Sequence, residues 1–214
     1  NKVRLATILG TFQASLTNFR HINPTFEKNC REEALLGVSL TGIMDNSLTA
    51  SAHPELLLSL KKEAIDTNEK YADKLGINRS KAITCVKPSG TVSQLVDSAS
   101  GIHPRHSEYY IRRVRGDIKD PMTKYMMAHG FPHEECNYQP ENVVVFSFPQ
   151  SAPTSSVMRE QLTAIDHLKI WKRYQLFWCE HKPSITISIK DDEWMEVGQF
   201  VWENFDLMSG ISFL

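Results

Sequence analysis

The sequence predicts an α/β protein in which mainly parallel strands alternate with helices. Three observations predict it. Short apolar runs rich in β-branched residues occur at 82–87, 142–148 and 184–189. Segments with apolar residues every third or fourth position lie between them, as helices require. No repeat, low-complexity tract or Gly/Ser linker interrupts the alternation, and strands separated by helices favour parallel pairing.

The elements follow in order. Leu5, Ile8, Phe12 and Leu16 fall on one face of a helix that the chain is already in when it starts. Residues 35–44 (LLGVSLTGIM) read as a buried strand running into a loop. Residues 54–75 form a helix with Leu56, Leu60, Ala64, Tyr71 and Leu75 near one face. AITCVK at 82–87 is a short strand, 90–96 opens a helix, and YYIRRVR at 109–115 suits a strand. Pro121 to His129 is a short helix stopped by Gly130. NVVVFSF at 142–148 is a strong strand signal closed by Pro149. Residues 156–181 carry a long aromatic-rich helical pattern, and SITISI at 184–189 is a clean strand. Asp191 and Asp192 mark the start of a helix running to about Phe205. Periodicity alone leaves an open sheet and a closed or half-closed barrel undistinguished.

Composition narrows the function classes. Hydrophobic residues make up 41% of the 214 and charged residues 23%, an ordinary globular balance. With 24 Lys plus Arg against 25 Asp plus Glu, the net charge of -1 argues against a direct nucleic-acid binder. No apolar run reaches the length of a membrane span and no signal peptide opens the chain. Cys30, Cys85, Cys136 and Cys179 are widely spaced with no CxxC pair, which reads as reduced thiols in a cytoplasmic protein. Both ends read as cut: the chain opens without Met inside a helix and closes on the apolar Gly210-Ile211-Ser212-Phe213-Leu214.

The segment with the most chemistry is Thr84-Cys85-Val86-Lys87-Pro88-Ser89-Gly90-Thr91-Val92-Ser93. A strand ends at Pro88, small and hydroxylic residues follow, and a helix begins. Exposed N–H groups at a helix start attract anions. Gly90 allows a phosphate close to the backbone, and Ser89, Thr91 and Ser93 add hydroxyl donors. Ligands of α/β proteins gather at strand carboxyl ends, where this segment lies. The segment is no Walker loop, and an ordinary N-cap at Ser89 or Thr91 explains the same residues.

Val86 to Ser93, Ser100-Gly101-Ile102-His103-Pro104 and Tyr109 to Arg115 together resemble class II ribonucleotide reductases, the adenosylcobalamin-dependent family. The resemblance extends upstream to Leu36-Gly37-Val38-Ser39-Leu40-Thr41-Gly42-Ile43-Met44-Asp45. Downstream it takes in Val144 to Pro149, Trp178-Cys179-Glu180-His181, Pro183 to Ile187, Glu193-Trp194, Asn204-Phe205-Asp206 and Ser209 to Phe213. YYIRRVR and VVFSFP place it nearest the monomeric triphosphate-reducing branch. The resemblance implies a ten-stranded α/β barrel built of two five-stranded halves, with residues 1–214 as the second, C-terminal half and no internal boundary. It implies reduction of ribonucleotides to 2′-deoxyribonucleotides by thiyl-radical chemistry, with adenosylcobalamin as cofactor and an external dithiol as reductant. Pro88, Ser89, Gly90, Thr91, Val92 and Ser93 would take the substrate phosphates. The missing half of the barrel, in the same protein or on a split partner chain, completes the list of partners.

The departures are equally informative. The family's radical cysteine lies in an Asn-x-Cys-x-Glu motif that this sequence lacks; Asn29-Cys30-Arg31-Glu32 has the wrong spacing. None of the four cysteines is therefore assigned a catalytic role, and the isolated chain is expected to be inactive. Two other readings stay open: a non-catalytic nucleotide- or partner-binding fragment of a split reductase, and a large subunit served by a separate metal-radical subunit. Among other residues, His129, His133 and Cys136 have a loosely metal-like spacing but no fourth ligand, so no metal site is assigned. His103 and His106 read as loop residues. Arg113 and Arg115 share one strand face and Arg112 takes the other, as structural ion pairs or as contacts to a phosphate or cofactor. Trp171, Tyr174, Phe177 and Trp178 read as helix-to-sheet packing, with a cobalamin face as the alternative.

Overall fold

The computed structural model describes residues 1–214. In chain order the helices and strands are α1 (Lys2–Ala14), α2 (Pro24–Glu33), β1 (Val38–Ser39), α3 (Ser47–Ala50), α4 (Pro54–Leu75), β2 (Thr84–Cys85) and α5 (Val92–Leu95). Then come β3 (Tyr109–Asp117), α6 (Pro121–Ala128), β4 (His133–Glu135), β5 (Val143–Ser151), α7 (Ala164–Phe177), β6 (Thr186–Ile187), α8 (Trp194–Glu203) and β7 (Ser212–Phe213). Contacts divide the chain into two compact units, one of Asn1–Arg105 with Ser155–Leu214 and one of His106–Thr154. The sequence reading drew no such division, although Ser151-Ala152-Pro153-Thr154-Ser155-Ser156 is a small, polar stretch of the kind that leaves a strand for a connection.

The first unit holds the parallel strands. β1 pairs with β2 and β6 with β7, all parallel, and a parallel bridge between Val86 and Pro183 joins the two pairs in the order β1-β2-β6-β7. Leu36, Val38 and Ile83 point into a core that also takes Ile43, Met44, Leu57, Leu168, Trp171, Tyr174 and Trp178. α7, together with the following Trp178, supplies the largest aromatic side chains of that core. Its N-cap is Thr163, whose hydroxyl oxygen accepts the Asp166 N–H at 3.1 Å, so the helix expected from 156 starts eight residues later, at Ala164. Its Trp171, Tyr174 and the following Trp178 are each no more than 1% exposed. Their polar tips all find backbone acceptors: Trp171 Nε1 donates to Pro183 O (3.3 Å), Tyr174 Oη to Thr49 O (2.8 Å) and Trp178 Nε1 to Cys85 O (2.8 Å). Trp171, Tyr174 and Trp178 are thus core residues with no face open to a corrin ring, while Phe177 is half-buried at its edge.

The N-terminal helix buries a different face from the one expected, although Ile8 is half-buried and Phe12 meets the Tyr71 ring edge-on. Thr7 and Thr11 are buried against α4, while Leu5, Leu9, Phe12 and Leu16 are exposed. The threonine hydroxyls donate to their own helix, Thr7 to Val3 O (2.9 Å) and Thr11 to Thr7 O (2.8 Å). Asn68 Nδ2 then donates to Thr11 Oγ1 (3.1 Å), and Asn68 Oδ1 accepts the Ser80 N–H (2.9 Å). Self-satisfied threonines present methyl groups and pack like small apolar residues.

The second unit is antiparallel throughout, so the mainly parallel pairing expected is carried by the first. β5 lies between β3 and β4, with Val114 opposite Phe146 and Glu134 opposite Val145. β5 also runs through Pro149 to Ser151 instead of stopping there. Ser147 N–H donates to Pro132 O on the β4 side (3.2 Å). Two residues on, Pro149 faces the same side beyond the end of β4, where the ladder needs no donor. α6 starts as predicted, with Asp120 Oδ2 accepting the Thr123 N–H (2.9 Å), and closes at Gly130, φ 73°.

His167 sets a pH limit on the first unit. It is 5% exposed and its Nε2 lies 3.0 Å from Ile102 O, so it holds the neutral form with the proton on Nε2. Burial, against the Ile102 carbonyl and with help from His103, pushes its pKa down from 6.5 to about 4. The unfolded chain therefore takes up a proton between those values that the folded chain refuses. Stability is full above about 6.5 and falls as pH drops towards 4, by on the order of 2–3 kcal/mol from this group. His167→Gln keeps a donor for Ile102 O without titrating. Urea midpoints at pH 7 and 4.5 should fall further in the parent chain than in the variant; equal losses would refute the assignment.

Candidate functional site

The Pro88–Ser93 segment leaves the parallel sheet at a firmly held point. Glu180 Oε2 accepts the N–H groups of Ile83 (2.9 Å) and Thr84 (3.3 Å). Thr84 O in turn accepts Glu180 N–H (2.9 Å) and His181 N–H (3.0 Å), and Val86 O accepts Ser184 N–H (2.9 Å). Lys87 N–H donates to Ser39 Oγ (2.9 Å). The strand end is therefore gripped from both neighbours, and the chain is released only at Pro88, which has no N–H to give.

Beyond Pro88 the backbone turns into the single helical turn α5, shorter than the helix expected. Ser89, not Thr91, caps it: Ser89 Oγ accepts the Ser93 N–H (2.9 Å), and the Ser93 hydroxyl donates back to Ser89 O. Ser93 is fully buried, so its amide and hydroxyl are directed at Ser89. Pro88, Gly90, Thr91 and Val92 are exposed, and Ser89 is half-buried. Thr91 and Val92 carry amides of the kind a helix start leaves without an intrahelical partner. Gly90 has no left-handed φ, and a Cβ built on it meets nothing within 4 Å. Neither backbone conformation nor packing within the chain requires glycine there.

The far side of the segment is fixed by a buried ion-pair network that the sequence reading missed. Arg105, with its side chain 3% exposed, donates from Nε to Asp45 Oδ1 (2.9 Å) and from Nη2 to Asp45 Oδ2 (3.1 Å). It also donates to Asp97 O (2.8 Å) and pairs with Asp97 Oδ1 (3.3 Å). Asp45 Oδ2 further accepts the Ala99 N–H (2.6 Å), and Asp45 Oδ1 the Ser156 hydroxyl (3.1 Å). Asp97 takes the left-handed conformation, φ 46°, and Ser98 N–H donates to Ser93 O (2.8 Å). Gly101, φ 54°, passes so close to the end of β2 that a Cβ would lie 2.8 Å from Lys87 O. Nothing in the letters of 97–105 marked Arg105, because its main carboxylate partner, Asp45, lies 60 positions upstream.

The remaining candidates are placed as follows. His103 is anchored: Nδ1 lies 3.0 Å from Ser100 O, and Thr186 N–H donates to Nε2 (3.0 Å). His106 is exposed, edge-on to Tyr110. His129 stacks on Tyr125 and His133 turns to Phe131 O, and no group of three or more His, Cys, Asp or Glu side chains is placed to hold a metal. All four cysteines are free. Burial raises the Cys85 thiol and pushes Cys179 up to about 12. Cys136 goes the other way: the N–H groups of Tyr138 and Gln139, and then the Arg115 guanidinium, hold it below the ordinary thiol range.

Comparison with known proteins places the fold. No protein-family model matches the chain. The fold is that of a ribonucleotide reductase: a crystal structure of a B12-dependent class II enzyme superposes with a TM-score of 0.77 and 22% identity, over 99% of this chain and 34% of that one. The chain is a homologue of proteins named adenosylcobalamin-dependent ribonucleoside-triphosphate reductase. The Euglena gracilis protein is 27% identical over 202 residues, 92% of this chain and 27% of the relative. That of Lactobacillus acidophilus is 26% identical over 88% of this chain and 29% of the relative. That of Lactobacillus leichmannii is 31% identical over 63% of this chain and 18% of the relative. The chain thus spans less than a third of the length of these relatives. No helix is long and apolar enough to cross a membrane.

The network predicts a specific stability pattern. Burial pushes the Asp45 carboxyl up, but the Arg105 hydrogen bonds, the Ala99 N–H, the Arg105 charge and Ser156 outweigh it and hold the carboxyl below its ordinary 3.8. The stability it contributes is full above that value and is lost as pH falls through the folded one. Arg105→Met strands the carboxylate and should cost on the order of 3 kcal/mol in urea denaturation at pH 7. Adding Asp45→Asn to that variant should recover part of the loss. A double variant as unstable as the sum of the two singles would show that the pair is not coupled.

Proposed function

We propose that this chain is the part of an adenosylcobalamin-dependent ribonucleotide reductase that receives the phosphates of the substrate ribonucleotide. The reduction would yield a 2′-deoxyribonucleotide in a cytoplasmic enzyme, with an external dithiol as electron source and the remainder of the barrel supplied from outside residues 1–214. The observation that carries the reading is the Pro88–Ser93 turn itself. It is a rigidly mounted strand end, an exposed turn and a helix start. A Cβ at its central Gly90 would meet nothing within 4 Å, so the missing side chain leaves open the space through which a phosphate would reach the backbone.

Within the segment the roles divide. Thr91 and Val92 amides, with Gly90 between them and the capped serine, face outward and would donate to phosphate oxygens; the Thr91 hydroxyl adds a further donor. Ser89 and Ser93 hold the turn, and Ser93 contributes through shape. Adenosylcobalamin would supply the radical that starts the reaction. Trp171, Tyr174 and Trp178 do not fit a corrin, since they are sealed in the core. No residue of this chain is assigned to hold the cofactor, and no step is derived through it. Without an Asn-x-Cys-x-Glu segment the chain also lacks the resemblance's hydrogen-abstracting thiol. Incubation with ribonucleotide, adenosylcobalamin and dithiol should therefore form no deoxynucleotide above background.

Titration of the labelled chain with a nucleoside triphosphate, followed by amide NMR, tests the site. Shifts should centre on Gly90, Thr91 and Val92. Gly90→Val should abolish them while leaving the melting temperature unchanged. Thr91→Val should weaken binding by about 1 kcal/mol, the worth of one hydroxyl donor. Gly90→Val with undiminished shifts at these amides would overturn the assignment.

A further inference from the structure

The antiparallel unit carries a second concave surface that the reading above does not use. A cavity of about 410 Å³ is bounded by Arg113 and Arg115 of β3, by Cys136, Asn137 and Tyr138 after β4, and by Val145 beneath. That volume lies in the range of small-molecule sites. Arg113 stands opposite Ser147 and Arg115 opposite Val145, so alternation puts both guanidinium groups on one face of the sheet. Arg112 also borders the cavity, and no carboxylate is among its lining residues. Glu134 pairs with Arg113, but one carboxylate leaves most of the five donors of a guanidinium available.

Donor groups gather on this side of the unit. Gln139 N–H donates to Cys136 O (3.2 Å), folding residues 136–139 into a turn at the cavity wall, where Cys136 is 4% exposed. The Tyr138 and Gln139 amides, and then Arg115, hold the Cys136 thiol below its ordinary range. The Tyr138 ring beside them is 85% exposed, an uncommitted aromatic face at the rim. Val145, 6% exposed, gives the floor an apolar surface. Paired guanidinium groups match phosphate oxygens in geometry as well as in charge, and an exposed tyrosine offers a stacking partner for a planar ring.

We infer that this cavity binds a nucleoside phosphate, with Arg113 and Arg115 on the phosphate oxygens and the Tyr138 ring against the base. The site involves none of the residues of the Pro88–Ser93 turn, so the two can fail separately.

The test uses the 214-residue chain labelled with ¹⁵N, titrated with pyrophosphate and, in parallel, with ATP, each against sodium chloride at matched ionic strength. Both ligands should produce saturable shifts at the Asn137, Tyr138 and Gln139 amides, and Gly90→Val should leave these unchanged. Tyr138→Ala should weaken ATP by roughly tenfold and pyrophosphate hardly at all, since only ATP has a ring to stack. Arg113→Met with Arg115→Met should remove both responses in a chain whose other amides keep their positions. Absence of saturable shifts at 137–139 with pyrophosphate, or equal shifts with chloride, overturns the proposal whether or not the arginine variants fold.

Discussion

One buried guanidinium organises the surroundings of the candidate phosphate segment. Arg105 reaches Asp45 after β1, Asp97 after α5 and, through Asp45, Ala99 and Ser156. A charge removed from water must be well partnered to be tolerated, and this one is held by Asp45 and Asp97, with Asp45 braced in turn by Ala99 and Ser156. The arrangement explains why a one-turn helix persists between Val92 and Leu95. Too short to hold itself, it is tethered through Ser98 and Asp97 on one side and Ser89 on the other. The grip on β2 by Glu180 and Ser39 supplies the other abutment.

Much of the fold was legible in the sequence because its strongest signals are local. Gly130 closes α6 where the letters placed the stop, through contacts within four residues that leave a mark on residue type, whereas the Thr163 cap went unread among the polar residues before it. The strand runs at 143–148 and 184–189 were legible for the same reason. Pairing was not. Whether Val114 meets Phe146 in an antiparallel ladder or a parallel one depends on a partner more than thirty positions away, and alternation looks the same in both. α1 misled for a subtler reason. A hydroxyl bonded to its own helix carries no polar cost when buried, so Thr7 and Thr11 act as the apolar face while the leucines outside look like one.

The candidate site was legible as a place more than as a mechanism. Small hydroxylic residues after Pro88 pointed to a strand end opening a helix, and that is what the structure holds. The sequence could not divide donors from supports. Ser89 and Ser93 turn inward upon each other, and only the geometry separates them from Gly90, Thr91 and Val92. Arg105 was invisible beside His103 and His106, since a lone arginine in a loop has no local signature of burial.

The division of the chain into an outer, discontinuous unit and an inner, continuous one bears on the order in which the protein assembles. β3, β4 and β5 lie within 43 residues of one another and can pair as soon as they emerge from the ribosome. The parallel core cannot follow that schedule. Thr84 waits for Trp178 and Glu180, about 95 residues later, and Asp45 for Ser156, 111 residues later. Until those arrive, the Arg105 guanidinium has only part of its cage, and the strand that presents Pro88 has only one neighbour. The residues that hold the candidate phosphate turn in place are therefore among the last to be set, and chaperone binding or proteolysis during synthesis would strike that region before the hairpin unit.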